Sequence, residues 1–133
     1  RFSRDGVGLD FVLIDAEHSS AGVKRDINLI LQHRPLSDLV VLMHDSGNAE
    51  CREGIRGADW ALCPHVHAVD LDFVPGQIIE HSIANGVGEC WGGFAIAHLS
   101  AHKRSGPLVI REGAKTSIRC LHFMSKDLSR LSA

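Results

Sequence analysis

Two groups of acids and histidines stand where apolar runs end. The run Leu9-Asp10-Phe11-Val12-Leu13-Ile14 gives way to Asp15, Glu17 and His18. The run Asp38-Leu39-Val40-Val41-Leu42-Met43 gives way to His44-Asp45-Ser46-Gly47. Hard divalent ions such as Mg²⁺ prefer carboxylate oxygens, usually one or two with water and substrate. Asp15 and Asp45 are the candidate carboxylate pair. A histidine titrates near neutrality and can take and return a proton, which makes His18 a candidate base. His44 is either a ligand for a softer ion or a residue packed under the site. Glu17 reads as a solvated neighbour and Ser46 as part of the first turn of the next helix.

These residues need a scaffold that brings two strand ends together. Phe11 to Ile14 is uncharged and rich in strand formers, as in a strand buried on both faces. The pattern predicts strands over 9–15 and 38–44 with a helix over 20–34 between them. Ser19 or Ser20 caps that helix, Val23, Ile27, Ile30 and Leu31 share one face, and Pro35 stops it. A strand–helix–strand unit implies a crossover between parallel strands. Adjacent strands lie about 4.8 Å apart, so Asp15 and Asp45 would leave the same sheet edge. Ligands of open α/β sheets bind beyond the carboxyl ends of the strands.

The run Ile14-Asp15-Ala16-Glu17-His18-Ser19, followed by Gly22-Val23-Lys24, Asp26 and Val41 to Ser46, resembles the second half of class I S-adenosylmethionine-dependent methyltransferases. The nearest branch is the metal-assisted sugar and small-molecule O-methyltransferases with their cephalosporin-hydroxylase-like relatives. Asp70-Leu71-Asp72-Phe73-Val74-Pro75-Gly76 and Trp91-Gly92-Gly93-Phe94-Ala95-Ile96-Ala97 are similar to the tail of that domain, and the resemblance covers roughly residues 8–100. It implies an α/β domain: a partial Rossmann-like methyltransferase sheet, mostly parallel with a late antiparallel strand, and helices on its faces. It implies S-adenosylmethionine as cofactor, a divalent metal such as Mg²⁺ on Asp15, Asp45 and His44, and His18 as general base. His44 stands where some relatives carry a second acid. The given residues hold no strand with a Gly-rich loop ahead of this stretch, and Gly86-Val87-Gly88 is followed by Trp91 rather than Gly. The cofactor-binding residues are therefore unknown. Residues 1–100 are expected to be a C-terminal half that is inactive alone, and 101–133 a weakly characterised tail.

Further along, a helix is expected over 48–58, weakened by Gly54 and Gly57 and closed by Cys63-Pro64. The alternation in 65–74 predicts a half-solvated strand near a sheet edge. Residues 77–84 are helical or irregular, and 89–99 a last strand in which Gly92-Gly93 marks a bulge or close backbone approach. His65 and His67 have metal-like spacing but no third ligand. Trp91 reads as core, or as the lining of an acceptor pocket.

Composition limits the partners. The chain has 133 residues, 44% hydrophobic and 23% charged, with net charge −2. That suits one soluble domain and gives no electrostatic case for nucleic acid or an anionic membrane. No apolar run approaches the ~20 residues that span a bilayer. Four dispersed cysteines read as reduced thiols of a cytoplasmic protein. The expected partner is a sugar or small-molecule acceptor. The competing reading is a non-catalytic α/β remnant that binds a partner or forms a homo-oligomer.

Overall fold

Phe11–Ile14 (β1) and Leu39–His44 (β2) pair in parallel, with Phe11 opposite Val40 and Ile14 opposite Met43. The computed structural model describes residues 6–15, 17–84 and 87–113; the opening residues, Ala16 and the tail from 114, with Cys120, lie outside the described residues. Ser20–Leu31 (α1) connects the two strands. Its cap is Ser19, whose hydroxyl accepts from the Gly22 N–H at 3.1 Å. The helix ends at Leu31, three residues short of the predicted 34.

Ala49–Arg56 (α2) follows β2. The Asn48 side-chain oxygen accepts from the Glu50 and Cys51 N–H groups, and Glu50 and Arg56 complement the helix dipole at its two ends. Gly54 weakens the helix but is required by packing. A Cβ there would stand 2.5 Å from the Ser20 carbonyl oxygen, so its absence lets α2 lie on α1. A single 3₁₀ turn, Trp60–Leu62, then buries the Trp60 indole, whose Nε1 donates to the Ile55 carbonyl at 2.7 Å.

Five further strands complete the described chain: Val66–Val74 (β3), Gln77–Ala84 (β4), Val87–Trp91 (β5), Phe94–Leu99 (β6) and Val109–Arg111 (β7). The main sheet has the order β1-β2-β6-β3-β7. Only β6 runs against its neighbours. This is the expected fold class, a mostly parallel α/β sheet with a late antiparallel strand beside β2. Strands β4 and β5 form a separate antiparallel hairpin.

Three expectations change. Residues 77–84 are a strand rather than helical or irregular; β-branched isoleucines at 78, 79 and 83 favour extended backbone. The predicted strand over 89–99 is two strands, because Gly92 and Gly93 take φ of +68° and +81° and redirect the chain from the hairpin into the main sheet. Strand β1, expected to be buried on both faces, is an edge strand with Phe11 and Leu13 exposed, whereas β3 does lie near the sheet edge, with β7 alone outside it among the described strands.

One sheet face carries the core. Leu39, Val41 and Met43 of β2, Ala95, Ala97 and Leu99 of β6, and Val66, Val69 and Leu71 of β3 pack with Val23, Ile27, Cys51 and Ile55 from the two helices. Burying a side chain such as Ile27 contributes roughly 1.5–3 kcal/mol. No described helix covers the other face: Val40, Leu42 and Ile96 are half-buried there, and Phe11 and Leu13 of the edge strand are 57% and 51% exposed. No described helix is long and apolar enough to cross a membrane. Cys51, Cys63 and Cys90 are free thiols, and burial pushes the Cys51 and Cys90 thiols above their ordinary pKa, which makes them poor nucleophiles.

Candidate metal site

The parallel register of β1 and β2 delivers the residues that follow each strand to one place. Ligand atoms of Asp15, His18, His44 and Asp45 all lie within 4.8 Å of one another. His18 Nε2 is 2.9 Å from Asp45 Oδ2 and 4.0 Å from Asp15 Oδ1. His44 Nδ1 is 3.2 Å from Asp15 Oδ1 and 3.1 Å from Asp45 Oδ2. That nitrogen is buried and makes no hydrogen bond to either oxygen. Ligands about 2.0–2.2 Å from a shared ion stand roughly 2.9–3.4 Å apart, depending on its geometry. The His18–Asp45 and His44 separations fall in that range; the His18–Asp15 distance is longer.

Asp45 is the most constrained of the four. It sits at φ +57°, left-handed backbone that aspartate tolerates better than most residues, and it is only 5% exposed. Its Oδ1 accepts from the Gly92 N–H at 2.8 Å, which leaves Oδ2 to face the histidines. Gly92 can reach it because the backbones beneath touch. A Cβ on Gly47 would stand 2.9 Å from both the Gly76 Cα and the Gly92 carbonyl oxygen. A Cβ on Gly93 would stand 2.7 Å from the Gly76 nitrogen. The Gly47 N–H also donates to the Gly92 carbonyl at 2.9 Å.

Arginine ties the same loop from behind. Arg52 makes a bidentate pair with Asp72 at 2.8 and 2.9 Å and donates to the Ser46 carbonyl at 3.1 Å. Glu112 completes the lattice by pairing with Arg52 and Arg56. On the other side, Glu17 is drawn away from the cluster: it accepts from Ser19 at 2.6 Å and from Arg25 at 3.2 Å. Those contacts, Ser19 first, hold its carboxyl below the usual range.

Of the residues singled out in the sequence, the structure brings Asp15, His18, His44 and Asp45 together. His65 and His67 do not join them; their rings meet the Ser100 and His102 carbonyls at 2.9 and 2.8 Å. Trp91 is half-buried, and its ring meets His18 edge-on at 5.9 Å between centroids. Phe94 packs on His44 at 5.0 Å. The Gly92 N–H contact was missed in the sequence, where the Gly92-Gly93 pair was the available signal. His18 as a fourth potential donor was also missed, since the motif suggested only a base.

The donor set fits a divalent ion. Two carboxylates this close repel, a cation offsets that repulsion, and the His44 nitrogen is left without another partner. Among the described residues a sulfonium cofactor finds no comparable fit, since the turn between β2 and α2 holds Gly47 as its single glycine. Comparison with family models, curated proteins and solved structures returns no match.

Proposed function

We propose that the chain is the metal- and acceptor-binding part of an S-adenosylmethionine-dependent O-methyltransferase domain that acts on a sugar or other small-molecule hydroxyl. One observation carries the reading: the Asp15, His18, His44 and Asp45 ligand atoms converge within 4.8 Å beyond two adjacent parallel strands. Asp15, His44 and Asp45 would hold the ion, which lowers the pKa of a coordinated hydroxyl. His18, 2.9 Å from Asp45, would take the hydroxyl proton. Imidazole donors move the preference from Mg²⁺ toward Mn²⁺ or Zn²⁺. No site for the methyl donor is found among the described residues.

Calorimetric titration with Mn²⁺, Zn²⁺ and Mg²⁺ tests the site. The expected result is one ion per chain, Mn²⁺ or Zn²⁺ tighter than Mg²⁺, and no binding in the Asp15→Asn/Asp45→Asn double variant. Absence of binding by the unaltered chain overturns the reading.

The sheet face that no described helix covers favours a second reading, a non-catalytic binding or oligomerisation module. Phe11 and Leu13 lie exposed on an edge strand that pairs only with β2 among the described residues, and such edges invite further pairing. Sedimentation velocity decides it: a monomer that stays monomeric across a wide concentration range removes this reading.

A further inference from the structure

A wall beside the donor cluster supplies no metal ligand of its own. Val74, Pro75, Gln77, Trp91, Gly92 and Gly93 line a cleft of about 370 Å³. Small-ligand pockets begin near about 300 Å³. Two of the lining residues join the cleft to the cluster. The Gly92 N–H holds Asp45 Oδ1 at 2.8 Å. The Trp91 ring meets the His18 ring at 5.9 Å and 86°.

The lining chooses among acceptors. Among the described residues its side chains are an aliphatic pair, an indole and one amide, Gln77. A pyranose carries a hydroxyl on most of its ring carbons, and each one buried without a partner costs about 1–3 kcal/mol. A single amide satisfies few of them. An aromatic ring asks for little polar contact, pairs well with an indole, and presents its oxygen at the rim. Resting on the proposed metal site, we infer that this cleft is the acceptor subsite and that it takes a neutral hydroxylated aromatic ring of the phenol or catechol class. The ring lies against Trp91 with its hydroxyl toward the Asp15–His18–His44–Asp45 cluster.

The probes are catechol and methyl α-glucopyranoside, titrated into the full chain loaded with Mn²⁺ and freed of excess ion. Calorimetry is expected to give catechol at least a tenfold lower Kd than the glucopyranoside. Trp91→Ala weakens catechol at least tenfold, and Trp91→Phe restores most of the loss. Tryptophan fluorescence locates the event, because the chain has two tryptophans and Trp60 is 1% exposed. Quenching by catechol therefore reports Trp91 and disappears in Trp91→Phe. Equal or tighter binding of the glucopyranoside, or unchanged catechol affinity in Trp91→Ala, overturns the inference. The metal reading fails separately, by the absence of Mn²⁺ binding. In that case the same fluorescence titration on the metal-free chain still decides the cleft: quenching lost in Trp91→Phe supports it, and no quenching overturns it.

Discussion

The two ends of the main sheet differ in what their polar groups already do. At the amino-terminal end of β2 and β3 a cleft of about 450 Å³ is lined by Asn28, Gln32, Asp59, Cys63 and His65 among others. It is larger than the cleft of about 370 Å³ beside the donor cluster. Yet its groups are largely engaged in holding the fold. Asn28 and Asp59 exchange two hydrogen bonds of 2.9 Å, and His65 meets the Ser100 carbonyl. Arg104 donates to the Ala61, Cys63 and Val66 carbonyls at 2.7, 2.6 and 3.0 Å. At the carboxyl end, Asp15 and Asp45 have no arginine or lysine partner in ion-pair range among the described residues, and the His44 nitrogen lies between them with no hydrogen bond. Cavity size does not distinguish a site from a seam here. The accounting of partners does.

The largest expected effect strikes the carboxyl end. Asp45→Asn keeps a side-chain oxygen for the Gly92 N–H and a residue that tolerates φ +57°, so it removes charge with little else. Metal affinity is expected to fall roughly 100-fold or more, beyond what loss of a supporting contact causes. His65→Ala at the other end is expected to leave it within about twofold, since distant sites are independent. Calorimetry on both variants checks the pair. Equal losses would erase the distinction between the two ends.

Next is the glycine contact under Asp45. In Gly93→Ala the new Cβ meets the Gly76 nitrogen at 2.7 Å on backbone at φ +81°. The expected cost is about 2–3 kcal/mol of stability, with about a tenfold loss of metal affinity as the Gly92 N–H shifts. Gly106→Ala, where a Cβ meets nothing within 4 Å, is expected to be near neutral. Urea melts and metal titrations of both variants separate strain at the site from the general cost of adding a methyl group.

Much of this difference was legible in the sequence, and what was not has a physical cause. The apolar runs ending in Asp15 and Asp45 and the helix between them disclosed the parallel pair, because both strands and the helix carry local periodicity. Residues 77–84 carry no clean period, and their pairing partner is the later Val87–Trp91 strand. Gly92-Gly93 advertised a close approach but not its target: Asp45 lies 47 residues away. The place of β7 beside β3 rests on a three-residue strand, too short to leave a pattern. The Arg104 clamp escapes for another reason, since nothing local distinguishes an arginine that binds carbonyls from a solvated one.

That clamp gives the third test. Arg104→Ala deprives three carbonyls of a charged donor, at an expected cost of about 2 kcal/mol. Metal affinity is expected to stay unchanged, which is the signature of a seam. A variant that keeps its stability but loses metal would reverse the roles assigned to the two ends.

The smallest effect separates the acids near the carboxyl end by their partners. Glu112 pairs with Arg56 and Arg52, whereas Asp15 and Asp45 face histidines. The hydrogen bond from Arg56, outweighing partial burial, holds the Glu112 carboxyl below its ordinary value of 4.5. A carboxyl whose folded pKa is depressed stabilises the fold above its unfolded pKa. The contribution fades as pH falls through the lower folded value. Because Arg56 is 44% exposed and screened by solvent, the pair is expected to contribute only about 0.5 kcal/mol near neutrality. Glu112→Gln should therefore be less stable than the unaltered chain by that amount at pH 7, and the gap should close as pH falls through the lowered folded pKa and the carboxyl protonates. Metal-free chain is the material to melt, since a bound ion adds its own proton linkage through Asp15 and Asp45. A gap that persists unchanged to pH 3 would mean that Glu112 acts through packing rather than charge.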